Sequence, residues 1–181
     1  MVSRAWRMNS CDSAILAVRR FAIFFALIGA TLSTPLAAKE SVGVFSDWAA
    51  FRDQQASHCY AIAMPAPSKL QRDHQPYATV ATWPKRQVRG QVHFRLSRNM
   101  ARSSAITASI GRERFRLTGS GASAWAVDRS MDAAIVAAMR SAKSIVIRAV
   151  DSRGRRFSNT YQLAGAASAM DAATIACAKL R

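Results

Sequence analysis

The clearest predicted strand is Val88-Arg-Gly-Gln-Val-His-Phe-Arg-Leu-Ser97, because apolar and polar residues alternate along it. Successive side chains of a β-strand point to opposite faces of a sheet. One face of this strand is therefore predicted to pack in a core while the other faces water. The inward set is Val88, Gly90, Val92, Phe94 and Leu96, and the outward set is Arg89, Gln91, His93, Arg95 and Ser97.

Similar short alternating segments lie on both sides of this strand, separated by turn residues. Strands are predicted at 42–48, 58–64, 77–83, 105–110, 113–118, 144–150 and 156–163. Ser130 is predicted to cap a helix over 131–142, and Ser168, with Asp171 three residues on, to start a final helix. The fold class is mainly β: an antiparallel β-sandwich of about seven to eight strands with two short α-helices.

Residues 1–38 have the pattern of a secretory signal peptide. Arginines precede a short apolar run, Phe21 to Leu32, and small residues follow Pro35. Cleavage is predicted after Ala38 or after Ala37, and translation starts at Met1 or Met8. An uncleaved anchor is the alternative, but this run is shorter than the roughly 20 apolar residues that a membrane span needs. A single domain over 39–181, with no transmembrane span after cleavage, is expected.

The charge is strongly basic. The 181 residues include 26 Lys plus Arg and 10 Asp plus Glu, a formal net charge of +16, and half of them are hydrophobic. This composition excludes a disordered chain and a polytopic membrane protein. Removing four Arg and one Asp with the signal peptide leaves 22 basic and nine acidic groups, a net charge of +13. In a periplasmic or outer-envelope protein, such charge favours anionic lipid, lipopolysaccharide or an envelope protein as partner, and not nucleic acid in the cell.

Cysteine usage agrees with export. Cys11 is lost with the signal peptide, and Cys59 and Cys177 remain as an even pair in an oxidising compartment. A disulfide between them is predicted. Two buried, unpaired thiols are the alternative.

The sequence predicts no catalytic, metal or cofactor site. His58, His74 and His93 lack partners at ligand spacing, and the adjacent pair His58-Cys59 would point to opposite faces of a strand. There is no Gly-x-Ser-x-Gly elbow and no Gly-rich phosphate loop. Three tryptophans are interpreted as core anchors in preference to a ligand-stacking platform: Trp48, Trp83 and Trp125.

Arginines on outward strand faces are the strongest candidate site. If their strands are neighbours, they form one basic stripe, and Arg side chains suit phosphates and carboxylates. The alternative is a solvated face that binds nothing specific. The predicted anion-binding residues are Arg89, Arg95, Arg114 and Arg116.

Residues 42–178 resemble the invasion-associated locus B family of small exported proteobacterial proteins. Phe45-Ser-Asp-Trp48 is similar to the family's opening Gly-Asp-Trp, and Asp151-Ser-Arg-Gly-Arg155 to its Asp-x-x-Gly-Lys hairpin. Met131 to Arg140 resembles its characteristic helix, and Tyr161-Gln-Leu-Ala-Gly165 its terminal Leu-x-Gly. The family's usual short-range cysteine pairs are absent. The resemblance implies the fold and a protein without established enzymatic activity.

Three functional hypotheses follow. The first is a non-enzymatic exported protein that acts by binding an anionic envelope component or a protein partner. The second is an exported hydrolase or thiol enzyme that uses Cys59 with a nearby His. The third is a structural envelope protein whose basic face only associates with anionic lipid. The oxidation state of Cys59 discriminates the second from the others.

Overall fold

The described residues of the domain form ten strands and two helices. The structure, a computed structural model, describes residues 39–69, 71–178 and 180, so the predicted signal peptide lies outside the described residues. The strands are β1 (Glu40–Phe45), β2 (Trp48–Asp53), β3 (His58–Ala63), β4 (Tyr77–Trp83), β5 (Val88–Arg95), β6 (Ile106–Ile110), β7 (Glu113–Ser120), β8 (Ser123–Trp125), β9 (Ser144–Val150) and β10 (Arg156–Gln162). The helices are α1 (Arg129–Ser141) and α2 (Ala166–Ala178), and a 3-10 turn covers Pro84–Arg86.

All strands pair antiparallel in one sheet, in the order β1-β2-β3-β4-β5-β8-β7-β6-β9-β10. The sheet curls so that its two halves pack against each other: the rings of Phe94 on β5 and Tyr161 on β10 lie 6.1 Å apart, centroid to centroid. Helix α2 covers the inner side of β1, β2 and β3. Val92, Phe94 and Leu96 are fully buried, as the alternation predicts. Neither described helix is long and apolar enough to cross a bilayer.

The mainly β fold with two helices is confirmed, but the number of strands is ten, not seven or eight. The predicted strand at 42–48 is divided by a turn at Ser46 and Asp47, after which β2 pairs back on β1. The short apolar segment around Trp125 is also a strand, β8, which bridges β5 and β7. Both errors concern short strands, in which the alternation of apolar and polar residues spans too few positions to define the ends of a strand.

Both predicted helices exist, but their starts differ. Asp128, not Ser130, caps α1: its carboxylate accepts a hydrogen bond from the Met131 backbone N–H at 2.8 Å. Ser130 instead donates to that carboxylate. Helix α2 begins at Ala166, so Ser168 lies inside its first turn. An Asp side chain accepts at an N-cap as well as a Ser hydroxyl does.

Contacts from β10 and α2 to the first hairpin close the sheet. The Trp48 indole N–H donates to the Gln162 carbonyl at 2.8 Å, and the Asp47 N–H donates to the Ala164 carbonyl at 3.2 Å. A Cβ on Gly165 would lie 1.8 Å from the Phe45 carbonyl oxygen, and φ here is +81°. Only glycine fits this approach. The motifs that carry the family resemblance therefore hold the two ends of the domain together.

Asp151 makes the main polar contact inside the fold. Arg98 and Asp151 are 6% and 2% exposed, and the Arg98 Nη1 to Asp151 Oδ2 distance is 2.9 Å. The other carboxylate oxygen accepts hydrogen bonds from the Arg153 and Arg155 N–H groups. Burial raises the pKa of Asp151, but the Arg155 and Arg153 backbone donors and the Arg98 and Arg155 guanidinium groups outweigh it and lower the pKa to about 2.

A disulfide joins Cys59 on β3 to Cys177 on α2, as predicted, with a Cα–Cα distance of 5.5 Å. Both cysteines are buried. The bridge attaches the last helix to the inner face of the sheet. Its sequence separation of 118 residues closes nearly the whole domain into one loop.

Removing the disulfide is expected to lower the free energy of unfolding by up to about 4–5 kcal/mol, because the bridge restricts a long loop in the unfolded chain. Cys59→Ala, Cys177→Ala and the double variant should lose similar amounts, since either change breaks the same bond. Urea unfolding of the three variants measures this. Losses that add in the double variant, together with two reactive thiols at these positions in the denatured wild type, would contradict the bridge.

Asp151→Asn is expected to be much more destabilising than Asp171→Asn. The first leaves Arg98 buried without its counter-charge, whereas Asp171 pairs with Arg140 on the surface, where an ion pair contributes under about 1 kcal/mol.

The pH dependence follows from the same carboxylate. Because the folded pKa of Asp151 lies below its ordinary value of 3.8, its stabilisation is complete above about pH 4 and is lost as pH falls through about 2. Urea unfolding between neutral and acidic pH should show this decrease, reduced in Asp151→Asn. Equal losses in the two variants at neutral pH would refute the role given to Asp151.

Candidate functional site

The four predicted anion-binding arginines do not form one stripe. Arg114 and Arg116 lie on β7, whereas Arg89 and Arg95 lie on β5, and β8 separates these strands. The condition that the strands be neighbours is therefore not met. Arg114, Arg116 and Arg89 are exposed, and Arg95 is half-buried beside the aromatic rings described below.

The pair on β7 belongs to a different cluster. Arg116 lies opposite Thr107 on β6, which lies opposite Arg148 on β9. Adjacent strands are about 4.8 Å apart, so the two arginines are separated by roughly 10 Å across the sheet. Arg114 lies opposite Ser109, whose hydroxyl accepts a hydrogen bond from Arg148 at 3.2 Å. With Arg156 at the start of β10, these residues form the arginine ladder: Arg114, Arg116, Arg148 and Arg156.

The arginine ladder is not neutralised by the fold. Other arginines have carboxylate partners: Arg52 with Glu40, Arg98 and Arg155 with Asp151, and Arg140 with Asp171. None of the ladder arginines forms such a pair within the described part of the chain.

None of the outward residues described on β6, β7, β9 and β10 is acidic. The other outward residues of β6, β7, β9 and β10 are Thr, Ser, Val and Gln. Arg114, Arg148 and Arg156 line one shallow concavity of about 790 Å³. This half of the outer sheet surface therefore offers several guanidinium groups, separated by short hydroxyl side chains, to an anion.

The tryptophans divide between the core and the surface. Trp48 is 1% exposed and is a core anchor, as predicted. The same prediction is wrong for Trp83 and Trp125, which are half-buried and lie on the outer face of the sheet. Ala78 and Val80 face inward on β4. Because successive side chains alternate, Trp83 lies on the outer face.

A row of stacked rings crosses this outer face. Ring centroids are separated by 5.6 Å from Phe51 to Tyr60, 5.1 Å from Tyr60 to His58, and 4.1 Å from His58 to Trp83. The Arg86 guanidinium lies 5.1 Å from the centroid of the Trp83 ring and ends the row. Each ring thus contacts the next, and the row forms one continuous ridge on the outer face of the sheet.

A second group of rings faces this row across β4. His93 lies 5.8 Å from Tyr77 and 5.0 Å from Trp125, centroid to centroid. Between the two groups the outward residues of β4 are short: Thr79 and Ala81. The resulting aromatic groove has a volume of about 450 Å³ and contains the rings of His58, Tyr60, Tyr77, Trp83, His93 and Trp125.

The two histidines of the groove favour their neutral forms. Burial lowers the pKa of His58, and nearby Lys39 also lowers it while Asp53 acts in the opposite direction. Burial also lowers the pKa of His93, with a smaller contribution from Arg95. His58 Nδ1 and Trp83 Nε1 are covered and have no hydrogen-bond partner among the described residues.

The arrangement does not provide a nucleophile at Cys59, because the disulfide consumes its thiol. His58 points to the outer aromatic groove, while Cys59 points inward to α2, as expected for neighbours on a strand. In the described ranges, no three His, Cys, Asp or Glu residues lie close enough to hold a metal ion. His74 instead contacts the Asn99 side chain at 3.0 Å.

Sequence reasoning missed Arg148, Arg156 and the aromatic groove. The alternation of β9, with Ile145, Ile147 and Ala149 inward, already placed Arg148 outward. The missing information was the strand order, which sets β9 next to β6 and the rings of β3, β4, β5 and β8 side by side.

Comparisons with known proteins agree with this architecture. The sequence matches the family model described as "Invasion associated locus B (IalB) protein" over residues 49–174. It is also similar to the crystal structure of invasion associated protein b from Bartonella henselae, with 13% identity, a TM-score of 0.50, and coverage of 76% of this chain and 96% of that chain. At that identity the likeness shows the fold alone. No curated protein matches the sequence. Because the family model covers more than half of the chain, this protein belongs to the invasion associated locus B family.

Proposed function

We propose that this protein is exported to the periplasm or the outer envelope, where it acts without catalysis by binding an anionic envelope component through the arginine ladder. The observation that carries the proposal is the set of four outward arginines without carboxylate partners in the described part of the chain. The phosphates of anionic lipid or lipopolysaccharide are the groups that guanidinium side chains bind with two parallel hydrogen bonds.

The shape of the ladder supports a lipid surface in preference to a small anion. Its arginines are spread over β7, β9 and β10, and the concavity among them is shallow. Short hydroxyl residues between the arginines allow phosphate oxygens to approach the sheet. The disulfide also argues against the alternative hypothesis of a thiol enzyme, because Cys59 has no free thiol. A binding role does not require one.

Vesicle binding tests the arginine ladder. Arg114→Ser/Arg116→Ser should weaken binding to phosphatidylglycerol vesicles, because each arginine near an anionic surface contributes about 1 kcal/mol. The matched control is Arg89→Ser/Arg95→Ser, which removes the same charge from β5 and should weaken binding less. Cosedimentation at several salt concentrations measures both, with phosphatidylcholine vesicles as the neutral surface and lipopolysaccharide as a second anionic one.

Equal losses in the two variants would show that only net charge matters, as the hypothesis of nonspecific lipid association holds. Wild-type binding by Arg114→Ser/Arg116→Ser would exclude the ladder. The proposal requires saturable binding that Arg114→Ser/Arg116→Ser weakens more than Arg89→Ser/Arg95→Ser does.

A further inference from the structure

We propose that the aromatic groove on β3, β4, β5 and β8 is a second binding site, separate from the arginine ladder, and that it takes an acidic saccharide. Aromatic side chains normally contribute to stability by burial, and a cluster of them on a solvated sheet face marks an interaction surface. Here the cluster includes both half-buried tryptophans and two histidines.

The groove is preformed by the register of the strands. Tyr60 on β3 and Gln91 on β5 lie on either side of Ala81, and Ile62 and His93 lie on either side of Thr79. Rings at both ends of β4, Tyr77 and Trp83, close the groove lengthwise. Two short residues therefore form the floor, and longer side chains form the walls. The volume of about 450 Å³ lies in the range of small-ligand pockets.

The groups that line the groove match a sugar. The apolar face of a pyranose ring packs on an aromatic side chain, and its hydroxyls need several donors and acceptors around the rim. Tyr60 and Tyr77 supply hydroxyls and Gln91 supplies an amide. The ring nitrogens His58 Nδ1 and Trp83 Nε1 are covered, so the polar contacts to a sugar fall to the tyrosines and Gln91.

The charge at the rim favours an acidic sugar. Lys39 lies 5.9 Å from the centroid of the Tyr60 ring, and Arg86 lies 5.1 Å from that of Trp83. Arg95, next to Tyr77 in register, adds a third cation. Asp53 is the carboxylate that acts on His58 from this side. Three positive side chains and one carboxylate give the rim a net positive charge, which complements the carboxylates of an acidic saccharide.

The same features fit single-stranded nucleic acid less well. Unstacked bases need free ring faces on which to lie, but the faces from Phe51 through Trp83 to Arg86 contact one another. A saccharide needs only one aromatic ring on which to pack, and Tyr77, which meets His93 edge-on, and Trp125 lie on the other wall.

Titration of tryptophan fluorescence with trigalacturonate tests this site. Trp125→Ala should weaken the affinity about tenfold, because it removes a stacking face. Thr79→Leu fills the floor without removing a ring and should have a similar effect, so the test does not depend on one variant that fails to fold. Arg114→Ser/Arg116→Ser, which alters only the arginine ladder, should bind trigalacturonate as the wild type does.

Maltotriose, which is uncharged, and a short oligothymidylate are the comparison ligands. Weaker binding of both than of trigalacturonate supports the proposal. Absence of saturable trigalacturonate binding, or unchanged affinity in both groove variants, would overturn the site. Equal binding of maltotriose would overturn the acidic specificity, and tighter binding of oligothymidylate would replace the saccharide with nucleic acid. Loss of trigalacturonate binding in Arg114→Ser/Arg116→Ser would show that the groove and the arginine ladder are one site, and would overturn the proposal of a separate site.

Discussion

The antiparallel sheet buries its inner face by curling until its two halves meet, with the helices covering part of that face, and the rest of this structure depends on that closure. The closing contacts are few and specific. The Trp48 indole binds the Gln162 carbonyl, Gly165 allows helix α2 to start against the Phe45 backbone, and Asp151 holds the turn before β10 against Arg98. Arg98 also donates to the Gln71 carbonyl, so a loop between β3 and β4 joins the same polar centre.

Closure explains why the recognisable family motifs are not themselves a site. They form the joints of the fold: the first hairpin, the Asp151 turn and the glycine before α2. Ser46 illustrates the cost of a departure. Its φ of +51° lies in the left-handed region, where glycine, the family residue, is favoured and other residues are strained. Because the inner face is committed to the core and the disulfide, both proposed sites lie on the outer face, where short β8 separates an aromatic half from an arginine half.

The fold class was predictable because strand alternation is a local signal. Val92, Phe94 and Leu96 were correctly predicted inward, although Ser97, predicted outward, is buried and the register of β5 against β4 shifts between Val88 and Gln91. The pair Cys59 and Cys177 gave the correct bridge. Strand order was not predictable, because it depends on which turns are tight and which loops cross the sheet. This is why Arg89 and Arg95 were grouped with Arg114 and Arg116, and why Arg148 was overlooked. Trp83 and Trp125 were wrongly predicted to lie in the core. Each stands beside small apolar residues, so the sequence pattern does not show which face of the strand carries the ring.

If the two halves of the outer sheet bind different ligands, as we propose, backbone amide chemical shifts should separate the two sites. Isotope-labelled protein would be titrated separately with trigalacturonate and with a soluble short-chain phosphatidylglycerol. We expect the saccharide to shift amides of β3, β4, β5 and β8, and the lipid to shift those of β6, β7, β9 and β10. Shifts on the same strands for both ligands, or small shifts spread evenly over the surface, would contradict it.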